Sequence, residues 1–183
     1  LNSIIHVGYS LIIADCESLI NLTQLNNLTE VKGNVTIHDN DKLESLQGLN
    51  SIIHSKSIEI SDNDSLSNLI GVEGLSSVDN YIRIQDNNNL QNLTGLENVS
   101  DIGSALELIN NDNLSSINAL SGLNTVESLR IRENDLLNSL SGLDNLNENV
   151  LSAITIKNNP QLSYCEVQSI CEYLSNNDAY SHI

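Results

Sequence analysis

The chain has 183 residues, with 24 acidic against 7 basic side chains and a formal net charge of −17. That length suits one domain with a real core, and the charge excludes nucleic acid and anionic lipid, whose phosphates call for clustered Lys and Arg. Phe, Trp and Met are absent, so the core is Leu, Ile and Val, and no apolar run of about 18 residues exists to insert into a membrane. Low hydrophobicity with high charge is a disorder signature, but here the apolar residues recur at fixed spacing. Without a signal peptide or a Met, the chain reads as a mature or excised piece.

At the N-terminus, Leu1-Asn2-Ser3-Ile4 repeats Leu49-Asn50-Ser51-Ile52, so the chain is expected to start partway through an uncapped coil. One unit then recurs. The first inward residue of a short strand falls at Leu11, Val35, Ile58, Ile82, Leu106, Leu129 and Ile154. The second falls at Ile13, Ile37, Ile60, Ile84, Leu108, Ile131 and Ile156, with spacings of 24, 23, 24, 24, 23 and 25. Alternation across the strand puts both inside. Three residues on stand Cys16, Asn40, Asn63, Asn87, Asn111, Asn134 and Asn159. A buried amide there both donates and accepts, which predicts an asparagine ladder, with Cys16 as a small buried donor at its start. Leu then recurs every third residue, as in Leu43, Leu46 and Leu49, which suits extended or 3₁₀-like turns and not an α-helix. Gly48, Gly71, Gly95 and Gly142 mark tight corners.

The period changes at the end. Val167, Ile170, Cys171 and Leu174 share a helical face, and Ser163 with Glu166 forms a capping box. This predicts a solenoid over 1–162 and a helical cap and tail over 163–183, with the helix at 164–174. Cys165 and Cys171 then lie about 9 Å apart along the helix, too far for a disulfide. Cys16 is six coils away, roughly 29 Å, so no intrachain pair is expected.

The unit Val35-Thr36-Ile37-His38-Asp39-Asn40-Asp41-Lys42-Leu43-Glu44-Ser45-Leu46-Gln47-Gly48-Leu49 resembles a leucine-rich repeat, and more narrowly the receptor L-domain type. The whole set resembles secreted leucine-rich-repeat proteins of Bacteroidetes, and the stretch from Asn159 to Leu174 looks like the ending of that group. The resemblance implies a mostly β, right-handed, β-helix-like solenoid of about seven coils with parallel strands and a short C-terminal capping helix. It also implies a secreted or cell-surface bacterial setting and a recognition role without catalytic residues.

Candidate ligand-binding residues lie on the outward strand positions: His38, Glu59, Tyr81, Arg83, Gln85, Glu107, Arg130 and Arg132. Four of the seven basic residues, Arg83, Arg130, Arg132 and Lys157, fall on this face. Tyr and Arg are favoured at interfaces. The plainer reading is a charge ladder, because Glu59, Arg83, Glu107 and Arg130 alternate in sign across neighbouring strands. Beside the ladder asparagines run two acidic columns, and Asp39, Asp41, Asp62, Asp64 and Asp86 are candidate Ca²⁺ ligands. Against that, Asp is simply a good turn residue in a solvated rim. The four His share no zinc spacing.

The expected function is an extracellular, non-enzymatic module that binds a protein or polysaccharide through the flat strand face. A structural spacer is the alternative, and a polysaccharide-active β-helix enzyme a weaker one. The open N-terminal coil also offers an edge for end-to-end self-association.

Overall fold

The structure is a computed structural model that describes residues 3–147, 149–163, 167, 168, 170, 171 and 173. The strands are β1 (His6–Val7), β2 (Leu11–Ala14), β3 (Glu30–Val31), β4 (Val35–His38), β5 (His54–Ser55), β6 (Ile58–Ser61), β7 (Ser77–Val78), β8 (Tyr81–Gln85), β9 (Asp101–Ile109), β10 (Thr125–Arg132) and β11 (Ala153–Lys157). The chain is mostly β, a parallel solenoid of about six turns. Its main sheet runs β2, β4, β6, β8, β9, β10, β11, seven strands stacked in chain order. The repeat places Ile13, Ile37, Ile60, Ile84, Leu108, Ile131 and Ile156 in direct register. From Ile37 to Ile156 these side chains are buried.

Narrower strand pairings run along the neighbouring face in two pieces, with no ladder between β3 and β5, and were not expected. β1 pairs with β3, β5 with β7, and β7 with the first residues of β9, which pair with those of β10. Two-residue strands are too short to show alternation in sequence. β9 and β10 run unbroken from these pairings into the main sheet. Between Ile102↔Val126 and Ala105↔Ser128 their register shifts at a bulge. The shorter spacings originate at this corner: Asp101 to Thr125 is 24 residues, while Leu108 to Ile131 is 23.

The return path carries the Leu-every-third pattern as successive tight turns. Leu28 N–H donates to the Leu25 carbonyl and Ile52 N–H to that of Leu49, at 2.8 and 3.0 Å. Gly48, Gly71, Gly95 and Gly142 have φ between 108° and 121°. A Cβ on Gly71 would overlap the Leu46 carbonyl and the Gln47 nitrogen one turn below. The same column holds Gln24 and Ala119 in two other turns, and there the corner becomes a 3₁₀ helix, Thr23–Leu25 and Asn118–Gly122. Where glycine is missing, the chain winds tighter instead of entering the left-handed region.

The asparagine ladder is present. Asn40, Asn63, Asn87, Asn111 and Asn134 are fully buried. The Asn87 amide donates to the carbonyls of Ile60 and Gln85, both at 2.9 Å, while its Oδ1 accepts the Asn63 backbone N–H at 3.2 Å. The pattern recurs at Asn111 and Asn134, so each amide ties its own turn to the one before. Cys16 departs from expectation: it is exposed and free, though its Sγ–H still donates to the Ala14 carbonyl at 3.2 Å.

At the C-terminal end Gln168, Ile170, Cys171 and Tyr173 are helical, and Val167 and Ile170 are fully buried in the core. Tyr164, Cys165, Glu166 and Leu174, part of the expected helix and its capping box, lie outside the described residues. Cys171 is disulfide-bonded, which corrects the expectation of no pairing. That expectation rests on a helix that includes Val167, whereas Val167 is not helical.

Candidate functional site

The main sheet presents outward the residues that alternate with its buried aliphatics. Glu59↔Arg83↔Glu107↔Arg130 are direct register partners on β6, β8, β9 and β10. Arg83 Nε donates to Glu107 Oε2 at 2.5 Å, and Arg83 Nη1 lies 3.5 Å from Glu59 Oε1. Arg130 Nη1 donates to Glu107 Oε1. The Glu107 side chain is only 8% exposed because two guanidinium groups cover it, while those of Arg83 and Arg130 are 35% and 44% exposed. The Tyr81 hydroxyl donates to Glu59 Oε2 at 3.3 Å, and the Arg83 guanidinium sits 5.1 Å from the Tyr81 ring centre, within cation–π range. The Glu107 carboxylate holds the Arg83 pKa above its usual value. Burial, then the Glu59 charge, pushes the Tyr81 phenol up.

Five of the eight candidates therefore form one network: Glu59, Tyr81, Arg83, Glu107 and Arg130. The other three stand apart. Gln85 donates to Asp86 Oδ2 at 2.6 Å. His38 Nδ1 lies 2.6 Å from Asp39 Oδ2, and that hydrogen bond raises the His38 pKa. Arg132 lies beside Lys157 and outside the ion-pair network.

The calcium ligand set is not assembled. Among the described residues no group of three or more His, Cys, Asp or Glu could hold a metal ion. The carboxylates of Asp39, Asp41, Asp62, Asp64 and Asp86 do not converge, and amide or imidazole groups occupy several. Asp86 accepts from Gln85 and Asn110, Asp64 from Asn88 at 3.1 Å, and Asp39 meets His38. The column exists for a backbone reason. Asp15, Asp39, Asp62, Asp86, Asn110, Glu133 and Asn158 all have φ between 52° and 59°, the left-handed region that Asp and Asn tolerate best after Gly. Crowding of acids still registers at Asp62, whose pKa is raised first by burial and then by the charges of Asp86, Asp39 and Asp64.

Lys157, which the sequence places on the same outward column as Arg132, is its direct register partner. One feature escaped the sequence reading. On the narrower face, Lys32, His54, Glu30 and Ile53 border a depression of about 400 Å³. The column His6, Glu30, His54, Ser77, Asp101, Thr125 was its trace in the sequence.

Among the described residues no helix is long and apolar enough to cross a membrane. Comparison with protein-family models, with curated proteins and with solved structures finds no match to this chain.

Proposed function

We propose that this chain is a leucine-rich-repeat module of the receptor L-domain type, a secreted or cell-surface bacterial protein that binds a protein or polysaccharide without catalysis. The supporting observation is the outward face of the seven-stranded sheet. It is rigid, in register, and carries four of the chain's seven basic residues beside Tyr81. A face held by strand pairing loses little entropy when it binds.

The test is a glycan array combined with a pull-down against surface proteins. For a ligand so found, Tyr81→Ala and Arg83→Ala are expected to weaken binding about tenfold or more with an unchanged circular-dichroism spectrum. Unchanged affinity in both variants moves binding off this face. The second reading, a structural spacer, is favoured by the way Glu59, Tyr81, Arg83, Glu107 and Arg130 satisfy one another. It predicts an empty array and pull-down.

A further inference from the structure

We propose that Arg132 and Lys157 form a subsite for the carboxylate of an acidic saccharide. The proposal rests on the recognition reading above and names the ligand chemistry of that face.

The two cations are direct register partners on β10 and β11, and like charges placed opposite each other on neighbouring strands repel. Arg83 and Arg130 each have a carboxylate. Arg132 and Lys157 enter no ion pair among the described residues, and Arg132 Nε is buried with no hydrogen-bond partner. A buried donor left without an acceptor is costly. Glu133 follows Arg132 directly, yet its carboxylate makes no ion pair with it. In a chain of net charge −17, this pair of cations stands out, because acids are plentiful and among the described residues none pairs with it.

A ligand carboxylate supplies what is missing. It accepts two parallel N–H bonds from a guanidinium drawn outward from its present position, and the Lys157 ammonium adds a point charge. The surroundings favour a saccharide over a protein. The nearby outward positions are Ala105, Ile109, Ser128, Ala153 and Thr155, and none carries a large exposed apolar side chain. A protein interface needs an apolar core with aromatic or aliphatic anchors, whereas sugar hydroxyls suit a polar face.

The experiment is calorimetric titration of the intact chain with trigalacturonate, with its uncharged methyl ester, and with triglutamate. Trigalacturonate is expected to bind, and its ester at least about tenfold more weakly. Arg132→Gln and Lys157→Gln are each expected to cost about tenfold. The thermal midpoint of Arg132→Gln should be unchanged or raised, which separates lost binding from lost folding. Three results overturn the subsite: no binding of trigalacturonate at millimolar concentration, equal binding of the ester, or wild-type affinity in Arg132→Gln. Tighter binding of triglutamate than of trigalacturonate overturns the saccharide assignment. A ligand released by Tyr81→Ala but not by Arg132→Gln removes the subsite and leaves recognition by the face standing.

Discussion

Two polar columns run side by side along the solenoid, one residue apart, and they accept different substitutions. The inner column is Asn in six turns, from Asn40 to Asn159, with Cys16 at the first. The Asn side chains are buried, and their amides bridge adjacent turns through both ends. The outer column varies among Asp, Asn and Glu, and what its members share is a positive φ. Side-chain chemistry fixes the first column; backbone conformation fixes the second. Two repeating columns that look alike in a sequence can therefore answer to unrelated physical demands.

The contrast is most exposed at Asn87. Replacing it with Leu strands the carbonyls of Ile60 and Gln85 and the N–H of Asn63. Urea unfolding should show a loss of about 3 kcal/mol. A column ruled by backbone alone comes next. Gly71→Ala forces a Cβ into the Leu46–Gln47 backbone at φ 121°, and the expected loss is about 2 kcal/mol. The tolerance of this column at Ala119 depends on its 3₁₀ corner, so Ala119→Gly should cost much less.

The outer column predicts a gain. Glu133 is its one residue that is neither Asp nor Asn, at φ 59°, and Glu133→Asn should add about 0.5–1 kcal/mol. The smallest effect is electrostatic. The Asp62 pKa is raised in the folded state, so the folded chain holds its proton more tightly than the unfolded chain does. Stability from this group is present below the unfolded pKa of about 3.9 and is lost as pH rises through the folded value. Asp62→Asn should therefore stabilise the protein at pH 7 by no more than about 0.5 kcal/mol, with the gain vanishing in acid. A gain that persists at pH 3 would place its origin in the backbone.

Much of the fold was legible because it repeats. Ile13 through Ile156, the ladder asparagines and the Leu columns each recur at one position per turn, so seven weak signals add. What stayed hidden was local. His6–Val7 and its stacked partners are too short to alternate visibly. The positive φ of Asp39 and Asp62 made turn chemistry look like metal chemistry. The disulfide at Cys171 stayed hidden because the spacing of Val167, Ile170 and Cys171 implies a helix that includes Val167, which is not helical. For the candidate site, sign alternation at Glu59, Arg83, Glu107 and Arg130 was readable. That Glu107 would lie covered between two guanidinium groups depends on rotamers, which no spacing encodes.

The bulge at the corner between the two faces, opposite Glu127, has an evolutionary consequence. It acts as an expansion joint. A repeat that gains or drops a single amino acid there keeps its hydrophobic rungs aligned, so copying errors that would scramble a helical bundle leave this architecture intact. Diversification by slippage is thereby steered to one seam, and the amide spine passes through it undisturbed.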